Sequence, residues 1–537
     1  MNTTTNEAYC KTVSFELAGV GNRCFHDYVS HQDKLIHFFK YTPDLKGFEN
    51  AIQDRKKKFI DRKTLRQALE NQYKNFDRSA ALNQNIAALE NENTFTITTG
   101  HQLNILGGPL YFYYKIISAI QLCEQLSAQF PEQKFVPVYW MNTDDHDFPE
   151  INHFHFLGKK FAWETSQITT GPTGLLSTQD FGKVFDEISA SFSNLEMYEE
   201  VLSVYKKAYL EHATLSDATR YFVNHFFGKY GLICLDQNDA DLKRIFQPIA
   251  MRDMEEENSY LLTEKSIQDL EAAGYEKQVN PRNINFFYTE NKQRSRIVKE
   301  GKFYKVLQTS LQWTADELAK EWNENPTKFS TNVVTRPLYQ ETVLPNLAYI
   351  GGPAEVHYWL QYRAMFEYYN VFFPVLVMRD SFLLLNQKTL TKIEKLGLNI
   401  EDFFLPEEQI IKNYILDKAS NEVLLTQHEE NLKTVYNSIV SMSEKIDKTL
   451  VASVQAEMQK ALNGLKNIEG KFIKAKKNQE EQNTKTIRDI KNAIFPNGSL
   501  QERTESMLTY TTNPSEWIEN VLKNSNPLQM NVKTILI

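Results

Sequence analysis

The chain has 537 residues but only four cysteines, Cys10, Cys24, Cys123 and Cys234, and no CxxC pair. That spacing signals neither a disulfide framework nor a cysteine-rich zinc site, and a reducing cytoplasm is the expected compartment. A basic excess is also missing: 60 Lys+Arg stand against 68 Asp+Glu, a net charge of -8. Binding to tRNA or duplex DNA rests on phosphate neutralisation by a basic face, so a nucleic-acid partner is not expected. Apolar runs stop near about eight residues, whereas a bilayer span needs about 20, so no membrane partner is expected either. The start, MNTTTNEAYCKTVSFELAG, has no basic stretch leading into an apolar one and so reads as no secretory leader. No GxSxG elbow, HExxH, Walker loop, GxGxxG or kinase signature occurs. What remains is an ordinary globular composition, 42% hydrophobic and 12% aromatic, with room for about two to four domains.

What is present is an alternation of strand and helix. Residues 1–90 read as an N-terminal helical segment packing on a core, with Leu65, Leu69, Tyr73 and Phe76 at helical spacing. TFTIT at residues 94–98 is β-branched and aromatic. TGHQLNILGGP follows as a loop, residues 110–125 read as a helix with Pro109 at its first turn, and FVPVYW at 135–140 reads as a second strand. Strand, loop, helix, strand is a βαβ unit and implies a parallel sheet. A second block has expected strands at 332–335 and 347–350, Gln340 and Glu341 in a turn between them, a helix from Pro353 to about Tyr369, and a strand at 371–378. Residues 180–275 read as helical around a short strand at 231–236, and 284–307 as a β-ribbon. Residues 91–385 are therefore expected to form one α/β catalytic body with insertions at 160–330, followed by a connector at 386–415. Residues 416–482 contain no proline, only Gly464 and Gly470, and apolar positions stepping by three and four. This heptad-like seam predicts a rod of roughly 90–100 Å. Lacking a Pro or Gly turn at mid-length, it is expected to pair with a second chain as a coiled-coil homodimer rather than fold back as a hairpin. Residues 483–537 return to short amphipathic helices expected to dock on the body.

Three constellations can carry chemistry. TTGHQLNILGGPLYFYYK at 98–115 is a glycine turn entering a helix N-terminus, where free amides and the helix dipole suit phosphate or carboxylate. Thr99, Gly100, Gly107 and Gly108 would bring backbone close to a ligand. His101, Gln102 and Tyr111 would add side chains, and Lys115 would reach a phosphate or pair with an acid. NTDDHDFPEINHFH at 142–155 follows the strand ending at Trp140, the place where α/β sheets bind ligands. There Asp144, Asp145, His146 and Asp147 can orient an amine, hold a metal or act as acid and base. No metal-ligand spacing is met, which leaves the metal content open. In the third constellation Arg336 suits bidentate carboxylate or phosphate binding. Gln340 and Tyr349 follow, and Gly351, Gly352 and Pro353 open a helix with Glu355 and Tyr358 on one face. Arg379 directly follows a strand, as a site arginine or a salt bridge. GGPLYFYYKI at Gly107 echoes GGPAEVHYWL at Gly351, as two helix starts facing one crevice would. The structural alternatives are glycines that only satisfy a turn, a capped polar loop, and a glutamate complementing a helix dipole.

Together, TGHQ…GGPLY…YKIISAI, PVYWMNTDDHDFPEINH and RPLYQETVLPNLAYIGGPAEVHYW resemble the bacillithiol biosynthesis cysteine-adding enzymes over essentially the whole chain. The resemblance implies a Rossmann-like, nucleotidyltransferase-type body related to class I aminoacyl-tRNA synthetases, with a late coiled coil making a dimer. It implies a cytoplasmic ligase that adds L-cysteine to glucosaminyl-malate in the last step of bacillithiol biosynthesis. ATP or another nucleotide would activate the carboxylate. The family pattern falls on Thr99, Gly100, Gln102, Gly107, Gly108 and Pro109, on Asp145, His146, Asp147 and Glu150, and on Arg336, Gln340, Tyr349, Gly351, Gly352, Pro353 and Glu355. His101 stands where the pattern has glutamine, so it is ranked as a binding residue. Asp145, His146, Asp147 and Arg336 are the expected catalytic groups. No KMSKS loop is found. The rival readings are a synthetase-like nucleotidyltransferase acting on another amino acid or amine, and a non-enzymatic coiled-coil adaptor.

Overall fold

The computed structural model describes residues 10–192 and 195–537, so the reading of the first nine residues lies outside it. Five strands make one parallel sheet: β1 (Thr94–His101), β2 (Lys134–Met141), β3 (Ile233–Asp236), β4 (Asn346–Gly351) and β5 (Val375–Met378). Their spatial order is β5-β4-β1-β2-β3. The chain builds outward from β1 on one side, then crosses over and builds outward on the other. This is the Rossmann-like order, and it opens a crevice beyond the carboxyl ends of β1 and β4.

The strands are buried along almost their whole length, as a parallel sheet covered on both faces requires. Thr96 and Thr98 are buried with the apolar residues because their hydroxyls donate to Asn346 Oδ1 at 3.1 and 2.7 Å. Asn346 Nδ2 and Gln340 Nε2 in turn donate to Glu341 Oε1 at 2.7 and 2.8 Å. Burial pushes the Glu341 carboxyl up to about 7. Helix α1 (Leu110–Gln129) joins β1 to β2 and is buried on nearly every side. One face packs Ala119, Leu122 and Leu126 into the core with Phe95, Ile97 and Ile350. The other is covered by the helix Pro514–Asn524, whose Trp517 stacks on Tyr114 and meets Tyr113 edge-on. A helix covered twice has no use for a polar stripe.

The second block differs from expectation in detail. The strand is Phe329–Thr331, and residues 332–335 form a turn. Asn332 Oδ1 accepts the N–H groups of Val334 and Thr335, an Asx turn that overrides the β-branched run. Helix α2 (Arg336–Val343) follows, so Gln340 and Glu341 are helical. The expected helix from Pro353 is two, α3 (Pro353–Trp359) and Arg363–Tyr368. The strand at 371–378 keeps only β5, because Pro374 brings no amide to a ladder. The ribbon forms as Phe286–Glu290, Gln293–Glu300 and Phe303–Val306 in an antiparallel five-stranded sheet.

Residues 385–499 form a separate unit, while 500–537 belong with the first. The second unit contains α4 (Glu407–Val423), α5 (Thr426–Ile446), α6 (Leu450–Gln479) and α7 (Glu481–Ile494). The expected unbroken rod is broken three times, at 424–425, 447–449 and 480, and α5 and α4 both pack on α6. The helices thus fold back within one chain, as the hairpin that lacked a Pro or Gly turn, while Val435, Ile439, Met442 and Ile446 of the seam stay exposed. Asp447 makes the reversal instead, accepting the Thr449 amide and hydroxyl at 2.8 Å each. Among the described residues no helix is long and apolar enough to cross a membrane.

The C-terminal strand Val532–Leu536 is the middle of a three-stranded sheet between Cys10–Val13 and Ser381–Leu385. Within it Lys533 is buried against Asp380 at 2.5 Å, and Asp380 also accepts from Ser525. Lys533→Met would leave that carboxylate unpaired, and urea unfolding should report a loss of about 3–5 kcal/mol.

Candidate functional site

A cavity of about 550 Å³ opens at the carboxyl ends of β1 and β4. Gly100, His101 and Gln102 enter from β1, Asn142, Asp145 and Glu150 from the segment after β2, and Arg336 from the first turn of α2. Gly352, Pro353, Glu355 and Tyr358 enter from the start of α3. Tyr111 and Lys115 come from α1, Arg379 from the end of β5, and Arg503 from the C-terminal segment. The end of β1 at Gly100–Gln102 and the head of α3 therefore face one cavity, whereas the expected bend at Gly107–Pro109 does not line it.

The charges in the cavity are paired with one another. Lys115 Nζ lies 2.5 Å from Glu355 and donates to the Gly100 carbonyl at 2.8 Å. Glu355 also accepts the Gly352 amide at 2.8 Å and the Tyr349 hydroxyl at 2.7 Å. Burial alone would raise the Glu355 pKa. The Lys115 charge, with those hydrogen bonds, outweighs burial and holds it below the ordinary carboxylate value. The amide at the head of α3, an anion site by sequence, is thus filled by the protein's own carboxylate. Arg336 pairs with Asp145. Arg379 makes a two-pronged pair with Glu502 at 2.9 and 2.7 Å. Burial opposes the Arg379 charge, and Glu502 outweighs it, so the guanidinium sits above its usual pKa. Arg503 is exposed and, among the described residues, has no ion pair. His101 is lowered to about 4 by burial, with Lys115 adding to the effect. It is a neutral ring whose Nδ1 bonds the Gln102 carbonyl at 2.9 Å.

Other expected residues lie elsewhere. The Thr99 hydroxyl donates to the Ile350 carbonyl at 2.9 Å. Gly107 and Gly108 take φ of +80° and +55°, and a Cβ on Gly107 would lie 2.0 Å from the Tyr113 hydroxyl, so their role is the turn itself. The Leu110 amide at the head of α1 donates to the Glu505 carbonyl. Asp144 is buried in an ion pair with Lys243 at 3.1 Å. His146 Nδ1 meets Arg294 at 2.8 Å, and Asp147 opens the short helix Phe148–Ile151. Gly351 packs on Tyr349 and Glu355. Trp140, Gln340 and Tyr349 line a smaller chamber adjoining the cavity. Sequence reasoning missed Gln278, Glu502 and Arg503, which stand in no glycine turn or acidic motif. It also passed over Asn142, the uncharged head of the acidic motif. Among the described residues no three His, Cys, Asp or Glu side chains gather to hold a metal ion.

Residues 9–380 match the family described as "Bacillithiol biosynthesis BshC, N-terminal Rossmann-like domain", and residues 382–537 match "Bacillithiol biosynthesis BshC, C-terminal coiled-coil domain". A protein of Christiangramia forsetii is 40% identical, covering 95% of this chain and 96% of its own length. One of Flavobacterium johnsoniae is 39% identical, covering 98% and 99%. One of Bacillus cytotoxicus is 26% identical, covering 96% and 97%. Each carries the name "Putative cysteine ligase BshC".

The lowered pKa of His101 has a measurable consequence. Between about 6.5 and about 4 the unfolded chain binds a proton there that the folded chain does not. Stability therefore falls as pH drops through that window. His101→Gln should flatten this part of the profile of urea midpoint against pH and leave the profile above pH 7 unchanged.

Proposed function

The chain belongs to the bacillithiol biosynthesis BshC family, and from that premise we propose that it is a ligase joining the carboxylate of L-cysteine to the amine of glucosaminyl-malate, the last step of bacillithiol biosynthesis. The observation that carries the reading is the Arg336–Asp145 pair on the cavity wall. An amino acid is a zwitterion. Its carboxylate can take the place of Asp145 on Arg336 while its ammonium takes the place of Arg336 on Asp145, so one internal pair becomes two.

Joining carboxylate and amine is uphill in water, and ATP is the activator assigned here. Attack of the cysteine carboxylate on the α-phosphate releases pyrophosphate and gives cysteinyl-adenylate. Attack of the sugar amine on that carbonyl forms the amide and releases AMP. The protein supplies position and charge. Arg503 is available for phosphate or malate oxygens, with the fixed Arg379 adding positive potential beside it, and Asp145, once exchanged, can take the proton that the amine loses.

Purified protein given ATP, L-cysteine and glucosaminyl-malate should form the amide and consume one nucleotide per product. Absence of product would end the ligase reading, and product without nucleotide turnover would end the adenylate.

A second copy of the chain is the partner assigned to the helical unit. Val435, Ile439, Met442 and Ile446 run along α5 at steps of four, three and four and are exposed. Light scattering should give a dimer that Ile439→Lys with Ile446→Lys converts to a monomer; a monomeric parent would overturn the assignment.

A further inference from the structure

Behind Gly100 and Arg336 lies the smaller chamber, about 20 Å³ in volume. Gly100, Asn142, Arg336 and Tyr358 wall both spaces, so the chamber adjoins the cavity directly. Its size admits about one water-sized group. Three buried polar atoms on its lining residues have no hydrogen-bond partner among the described residues: Asn142 Oδ1, Arg336 Nε and Trp359 Nε1. Trp359 is only 1% exposed, so bulk solvent does not serve its N–H. Buried polar atoms left unpaired are costly, and three around one small space describe the group that would satisfy them. Two are donors and one is an acceptor. An ammonium cannot accept from the two donors, a methyl answers none of the three, and a carboxylate needs more room. The group that fits is a single atom that accepts and also donates one hydrogen.

The rest of the wall selects among such atoms. Trp140, Tyr349, Tyr358 and Trp359 surround the space with aromatic rings, which favour polarisable sulfur over oxygen. Access depends on Gly100: a Cβ there would lie 3.3 Å from the Tyr349 hydroxyl and 3.8 Å from Asn142 Oδ1, at the mouth of the chamber.

We infer that this chamber is the thiol pocket of the amino-acid site. Asn142 accepts the S–H, Arg336 Nε and Trp359 Nε1 donate to the sulfur, and the space ends one atom beyond Cβ. The inference rests on the ligase reading, since it assumes that the α-carbon sits beside Arg336 and Asp145.

The test is calorimetric binding of L-cysteine, L-serine, L-alanine and L-homocysteine to the full chain, with and without a non-hydrolysable ATP analogue. The parent should prefer cysteine to each of the others by about tenfold or more, the scale of one misfitted group in a shaped pocket. Trp359→Phe keeps a ring and removes the N–H, and Asn142→Ala removes the acceptor. Each should bring cysteine affinity toward that of alanine while alanine itself moves less than about twofold. Val333→Ala widens the wall and should improve homocysteine about tenfold; as a gain, it cannot be mistaken for misfolding. If the two former variants weaken cysteine and alanine by the same factor, if the parent does not separate cysteine from serine, or if Val333→Ala leaves homocysteine excluded, the thiol pocket is wrong. Product formation by the parent under those outcomes would leave the ligase reading standing, and a parent that makes no product from cysteine would remove that reading instead.

Discussion

Lys115 and Glu355 hold the two sides of the cleft in register. The ammonium reaches back from α1 to the carbonyl of Gly100 at the end of β1 and pairs with a carboxylate at the head of α3. That carboxylate takes the Gly352 amide and the Tyr349 hydroxyl from β4 and its turn. Four elements meet at one ion pair that is mostly out of water. Removing either partner would strand the other, a loss of about 3–5 kcal/mol, which makes the pair a scaffold rather than a reagent. It also closes the amide at the head of α3, so the recognition of negative charge passes from helix dipoles to arginines.

The arginines are not equivalent. Arg379 and Glu502 are 3% and 2% exposed, whereas Arg336 and Asp145 are each 15% exposed. A reactant cannot displace Glu502 without stripping the buried Arg379 of its bidentate counter-ion. It can exchange with Asp145 at a wall already open to solvent. Burial thus divides the site into a fixed cation that sets the local potential and a more open pair to which the proposed recognition falls. The thiol pocket extends the same side chain inward: Arg336 presents its terminal nitrogen to Asp145 and its Nε to the chamber.

The parallel sheet was legible because β1 and β2 are continuous apolar or β-branched runs bracketing a helix, a pattern set by local chemistry. Gly100, Arg336, Gly352 and Glu355 were legible because they stand at strand ends and helix starts, where chain topology delivers side chains to the crevice. Gly107 and Gly108 looked the same by sequence, yet their positive φ angles serve a turn, and only tertiary placement tells the two uses apart. Asp144 was invisible as a structural ion because its partner, Lys243, is 99 residues away. The reversal at Asp447 was missed for a different reason. A side chain that hydrogen-bonds two residues on can end a helix without glycine or proline, and no periodicity reports it.

The position of the helical unit in the chain also governs when the site can be finished. The first body is left at Leu384 and resumed at Leu500. Gln501 stands directly at the point of departure, its amide accepting the Leu384 N–H at 2.9 Å and donating to the Leu384 carbonyl at 3.1 Å. The excursion therefore begins and ends at neighbouring backbone, so an inserted unit of any length closes on the same anchor. The next two residues are Glu502, which fixes Arg379, and Arg503, which has no ion pair among the described residues. A chain made from its N-terminus acquires the sheet, Gly100, Gly352 and Arg336 first. Its cavity still lacks the counter-ion of Arg379 and its uncommitted cation until the segment beyond the helical unit has been made and has docked beside Leu384.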